Sequence, residues 1–262
     1  MVSSNRIFRR SRLPRLLSGG LWSSAALFGL SLFVIAPSAS YAAGELQKAI
    51  DDASEFATVK LGPGLYEGNI VIRKPLTLVA TQPSAVIKGD GKGSVVTVES
   101  SYVTIEGLEI INSGGEHQTI DSGIAVKNGF NVKIKNNKIH ECLFGVNLEK
   151  SNNCVVEDNQ ISSKKLSLGL RGDGIRLWYS HSNLIIKNHT FQVRDNVFWY
   201  SSGNTVEKNI GRNSRYSLHF MYADRNKVLD NDFQDNSVGI FLMFSQGSTC
   251  LLYTSPSPRD CS

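Results

Sequence analysis

A chain of 262 residues has room for one or two domains, and its formal charge of +5 is concentrated at one end. Arg6, Arg9, Arg10, Arg12 and Arg15 all fall within residues 1–42, which contain no acidic residue, so they account for the whole excess. The rest of the chain is formally neutral and lacks the basic surface that nucleic-acid binding requires.

Residues 1–42 read as a secretory signal peptide. The arginines form the basic region, residues 21–36 form an apolar run broken by Pro37, and Ser40-Tyr41-Ala42 supplies a small-x-small cleavage site. A single transmembrane anchor is the alternative, but the apolar run is short for a span. The Arg9-Arg10 pair leaves the export route open between the general and twin-arginine systems.

Residues 43–246 are predicted to form one all-β domain, a right-handed parallel β-helix with a short N-terminal capping helix. Leu46, Ala49, Ile50 and Ala53 lie at i, i+3, i+4 and i+7, one helical face that would cover the open end of the first coil. Irregular strands follow, and then a repeat. Segments starting at Gly123, Gly145, Gly174, Asp195, Ser217 and Gly239 read GIAVKN, GVNLEKS, GIRLWYS, DNVFWYS, SLHFMYA and GIFLMFS. Their spacings are 22, 29, 21, 22 and 22 residues, the long one holding an insertion near SSKKLSLGLRGD.

Each segment is followed by a short apolar run flanked by asparagines. The run opens at Asn131, Asn183, Asn204 and Asn226, with Cys154 in the first Asn place of its own repeat. A period near 22 with β-branched strands and Asn, Gly and Asp turns fits one β-helix coil per repeat, with asparagines stacked into a hydrogen-bonded ladder. Crossovers of this kind are right-handed. After Ser245 the pattern gives way to GSTCLLYTSPSPRDCS, so residues 247–262 read as a non-native tail on a domain incomplete at its C-terminus. Cys142, Cys154, Cys250 and Cys261 make no CxxC or metal-finger spacing. Cys142 and Cys154 could pair in an oxidising compartment or pack as small apolar side chains.

Side chains alternate across a strand, so the register sorts the repeat into faces. Leu177, Phe198, Phe220 and Leu242 point inward as core. Arg176, Val197, His219 and Phe241 form one outward column, and Trp178, Trp199, Met221 and Met243 a second. The apolar outward patch marks an interface, with Trp178, Trp199, Arg176 and Phe241 as candidate partner contacts. His219, Met221 and Met243, an imidazole and two thioethers within reach of one point, suit a soft cation such as Cu(I). Arg171, Asp173, Arg194, Asp195 and Arg215 recur with the period at the neighbouring corner. They read as a structural ion-pair ladder, with a carbohydrate cleft using paired carboxylates as the alternative.

The blocks RGDGIRLWYS (171–180), RDNVFWYS (194–201), RYSLHFMYAD (215–224) and VGIFLMFS (238–245) resemble the NosD family, periplasmic maturation proteins of nitrous oxide reductase. Ser217 and Phe244 stand where Gly and Tyr are expected. The resemblance implies a non-catalytic periplasmic role and transient copper, expected as Cu(I). It further implies an ABC transporter (ATPase and membrane subunits), a copper-chaperone lipoprotein and apo nitrous oxide reductase as partners in assembling a copper–sulfide centre. An exported polysaccharide lyase, epimerase or glycosidase is the competing reading.

Overall fold

The structure is a computed structural model that describes residues 32–35, 40–42 and 44–251. Most of the predicted signal peptide, and residues 252–262 of the tail, lie outside the described residues. The described pieces Leu32–Ile35 and Ser40–Tyr41 are short strands laid parallel on Thr58–Leu61 and Gly64–Glu67.

The chain winds as a parallel β-helix in which each coil adds one strand to each of three sheets. Among the described residues these sheets hold ten, nine and eight strands. One coil shows the plan. Ile175–Trp178 lies on the third sheet, Leu184–Ile186 on the first and His189–Phe191 on the second, before Asp195–Trp199 returns to the third. The insertion folds out of one corner and ends in a 3-10 turn, Leu168–Leu170.

The bore is filled by the inward side chains. Ile134, Val156, Ile185, Val206 and Val228 stack on the first sheet and Leu148, Leu177, Phe198 and Phe220 on the third, all buried. Leu242, at the last described rung of that column, is exposed. The capping helix is Glu45–Asp52, with Leu46 and Ile50 buried against the first coils. Gln47 fastens it by donating to Val71 O at 3.0 Å and accepting from Val71 N at 2.7 Å.

The asparagine ladder is present, with a shift at its start. Asn183, Asn204 and Asn226 are linked Nδ2 to Oδ1 at 3.0 and 3.1 Å, and Cys154 N donates to Asn183 Oδ1, so Cys154 occupies an Asn place. In the preceding coil the register puts Val132, not Asn131, into that column. Asn131 is exposed one residue earlier, at φ 59°. A second ladder runs through Asn137, Asn159, Asn188, Asn209 and Asn231, each buried and bonded to the next at 2.9–3.0 Å. Stacked amides of this kind satisfy the buried corner backbone that no sheet partner reaches.

The winding also runs past residue 246. Thr249–Leu251 lies parallel to Lys227–Leu229, and Ser248 Oγ accepts from Asn226 N at 3.2 Å, taking the Asn place. Cys142 and Cys154 are both free and buried, and burial pushes each thiol up to about 11. They pack as small apolar side chains.

Candidate functional site

The third sheet carries the outward columns in the expected register. Arg176 lies opposite Val197, Val197 opposite His219 and His219 opposite Phe241. Trp178, Trp199, Met221 and Met243 follow in the same way. A register shift between Asp195 and Val197 is absorbed as a bulge in Tyr216–Met221, and the phase is recovered at His219.

Outward does not mean exposed here. Residues 114–121 and the insertion fold over this part of the sheet and meet where His117 Nε2 lies 3.1 Å from Leu170 O. His117 also packs edge-on against Phe144, with ring centroids 5.6 Å apart. The cover turns the sheet face into a cavity of about 240 Å³, whose wall includes Asp173, Arg176, Val197, Trp199, His219 and Met221. Arg176 is only 5% exposed and His219 only 6%. Arg176 is therefore a buried group and not the surface partner contact its outward position suggests.

The aromatic side of the patch remains open. Trp178 is 37% exposed and stacks on Trp199, centroids 6.0 Å apart and planes at 20°. The Arg176 guanidinium lies over the Trp178 ring at 4.9 Å, a cation–π contact. Phe241 stacks on Tyr216 at 5.1 Å and meets His219 edge-on at 5.3 Å. Met221 lines the cavity, and half-buried Met243 sits opposite it on the next coil. His219 and Met221 thus stand two residues apart on one strand, with Met243 on the neighbouring coil. Among the described residues no three His, Cys, Asp or Glu come together as a metal site.

The ion pairs occupy one flank. Arg194 donates to Asp173 Oδ1 from Nε at 3.0 Å, and its Nη2 lies 2.9 Å from the same oxygen in an ion pair. Arg215 grips Asp195 with both Nε and Nη2, and Tyr216 N adds a third donor at 3.2 Å. Burial pushes Asp173 up to about 6 against the pull of Arg194. For Asp195 burial acts upward too, but hydrogen bonds from His219 and Arg215 hold it below the ordinary carboxylate range. Arg171 does not join the ladder. It makes no ion pair among the described residues and donates to Leu166 O at 2.9 Å and Asn213 O at 3.4 Å.

Two features escape sequence reasoning. Ser151, Ser180 and Ser201 form a hydroxyl ladder at the third corner, each backbone N–H donating to the next Oγ at 3.0 Å. Beside it, Tyr179, Tyr200, Tyr222 and Phe244 stack in a column with centroids 4.9, 5.1 and 5.0 Å apart. The recurring WYS, WYS, MYA and MFS triplets hold the signal for both.

Comparison with known proteins adds the following. Residues 161–252 match a family model described as periplasmic copper-binding protein (NosD), and residues 84–191 match one described as right handed beta helix region. A Pseudomonas aeruginosa protein named "Probable ABC transporter binding protein NosD" is 33% identical over 137 residues, 52% of this chain and 32% of its own. A Stutzerimonas stutzeri protein of the same name is 29% identical over 138 residues, 52% of this chain and 31% of its own. The matched region thus spans about a third of each curated relative. Among solved structures, the A-module of the mannuronan C-5 epimerase AlgE6 from Azotobacter vinelandii aligns at TM-score 0.65 and 17% identity, covering 79% of this chain and 64% of that one. Pectate lyase Pel9A aligns at TM-score 0.60 and 11% identity, covering 88% and 80%. Both share the fold.

Proposed function

The chain belongs to the NosD family, and from that premise we propose that it is a periplasmic accessory protein in the maturation of nitrous oxide reductase. It receives Cu(I) as cargo and helps assemble the copper–sulfide centre, docking to the membrane subunit of an ABC transporter and exchanging copper with a chaperone lipoprotein and the apo reductase. The observation that supports this reading is that residues 161–252, the part matched by the copper-binding family, hold His219 and Met221 two residues apart on one strand, with Met243 opposite Met221 on the next coil. Soft thioethers beside an imidazole favour Cu(I) over harder cations, and two or three ligands without a closed shell suit a metal that must leave again. Trp178 and Trp199 supply the stacked apolar surface beside it for the partner.

The role is not catalytic, and Asp173 and Asp195 serve as the arginine-bound flank of the site. Two measurements test the proposal. Deleting the gene in its host should leave nitrous oxide reductase without its copper–sulfide centre, and full reduction of nitrous oxide by the deletion strain overturns the maturation role. Cu(I) titration of the protein against a chromophoric chelator should show at least tenfold weaker binding after Met221→Leu with Met243→Leu. Equal affinity removes the thioether site. Turnover of uronate glycans that is lost in Asp173→Asn would return the protein to the polysaccharide-processing class.

A further inference from the structure

Arg176 is the one cation on the cavity wall that the ion-pair ladder does not use. Arg194 is paired with Asp173 and Arg215 with Asp195. Arg176 makes no ion pair among the described residues, although it is only 5% exposed, and it donates from Nη1 to the neutral Asn147 Oδ1 at 2.9 Å. Asp173 and Glu149 act on it only from beyond ion-pair distance. A buried guanidinium in that position is costly to keep unless an anion meets it, and its cation–π contact with Trp178 offsets only part of the desolvation.

Two more polar groups on the same wall lack partners. His219 Nε2 and Trp199 Nε1 are both buried without a hydrogen bond. Arg176, Val197 and His219 are consecutive in one outward column, so two coil steps of about 4.8 Å separate the first and last of these strand positions. Only the short side chain of Val197 lies between them. It makes the floor of a notch, with Arg176 at one end, His219 at the other and the Trp199 indole alongside. The indole can only donate, and so can the guanidinium. The wall counts three arginines against two aspartates.

We propose that this notch binds a small carboxylate, held by the Arg176 fork and by the indole N–H of Trp199. The planar fork matches a carboxylate with two parallel hydrogen bonds. A cavity of about 240 Å³ admits a small organic acid, and its wall is also within reach of an acidic side chain from a docking protein. His219 and Met221, the proposed copper ligands, line the same cavity, so carboxylate binding is measured on metal-free protein, where copper cannot compete.

The test is thermal unfolding and calorimetric titration of the metal-free protein with sodium acetate and sodium glucuronate, against sodium chloride at equal ionic strength. A ligand that binds only the native state raises Tm in a saturable way. The carboxylates are expected to do so and chloride is not. Arg176→Met is expected to weaken carboxylate binding at least tenfold. Val197→Leu, which fills the notch and keeps every charge, is expected to weaken it as well, and it decides the matter should Arg176→Met fail to fold. A short peptide with one internal Glu, compared with its Gln twin, distinguishes the sources. Competition by the Glu peptide alone points to a protein side chain, and competition by neither points to a free acid. Carboxylates that act no differently from chloride, or bind both variants as they bind the parent, overturn the proposal.

Discussion

Arg194 reaches back one coil to Asp173 and sets two guanidinium nitrogens, at 3.0 and 2.9 Å, on the same carboxylate oxygen. The carboxylate it holds is 2% exposed and the arginine is not, so the pair spans the boundary between cavity wall and solvent. Desolvation and the arginine pull Asp173 in opposite directions, and desolvation is the larger influence.

That balance gives a pH dependence with a definite sign. Asp173 is raised from its ordinary 3.8 to about 6, so the native state holds more protons than the unfolded chain between those values. Stability from this group is therefore full at low pH and lost as pH rises from about 4 to about 6. At about 1.4 kcal/mol per pH unit the loss is roughly 3 kcal/mol. Asp195 works the other way, losing stability as pH falls, so the net curve of the protein mixes the two. Urea unfolding of the parent and of Asp173→Asn at pH 4.5 and pH 7 separates them. The variant is expected to gain on the parent as pH rises, and a pH-independent difference would mean that Arg194 keeps Asp173 ionised throughout.

The asparagine ladders make a sharper contrast. Asn204 accepts from Asn183 N and Nδ2 at 2.8 and 3.0 Å and donates to Ser180 O and Asn226 Oδ1. Asn204→Ala leaves several buried groups unpaired and is expected to cost about 3 kcal/mol. Asn131, exposed at φ 59°, stacks on nothing in the ladder. Asn131→Gly is expected to change stability by less than about 0.5 kcal/mol. Chemical denaturation of the two variants checks both the ladder and the shift that puts Val132 in it.

The coil period and both outward columns were legible because a strand alternates strictly and the segments from Gly174 onward hold one phase. Asn131 misled because Asn136-Asn137 is a doubled asparagine, which fits two phases equally, and only the pairing of Lys133 with Val155 selects one. The burial of Arg176 and His219 was not legible, since it depends on residues 114–121 and the insertion closing over the sheet, a contact between His117 and Leu170 across 53 positions. The tyrosine column was hidden for another reason. Tyr179, Tyr200, Tyr222 and Phe244 have φ of 47°, 50°, 49° and 49°, a region aromatic residues disfavour.

Gly145 marks a place where two coils approach closely. A Cβ there would stand 2.4 Å from Gly174 O on the next coil and 2.3 Å from Ile161 Cγ2. Neither the backbone carbonyl nor the packed isoleucine can retreat without parting two rungs. Gly145→Ala is expected to destabilise by about 3 kcal/mol, more than the ordinary gain of Ala over Gly in the unfolded chain could offset. A midpoint in urea equal to the parent's would show that the rungs separate at little cost.

The aromatic column holds strained corners in place by stacking. Tyr200 lies between Tyr179 at 4.9 Å and Tyr222 at 5.1 Å, its plane within 14° of both. Each such contact is worth about 1 kcal/mol beyond burial, while the left-handed backbone costs a non-glycine residue about as much. Tyr200→Ala keeps the strain and loses both contacts, so it is expected to cost about 2 kcal/mol. Tyr200→Gly loses the contacts and relieves the strain, so its cost should be about half that. The order Tyr, Gly, Ala in thermal stability is the signature, and Gly falling below Ala would mean that the corner is unstrained. A double-mutant cycle between Tyr179 and Tyr200 then isolates the stacking, expected to couple by about 1 kcal/mol and to vanish if the rings act independently.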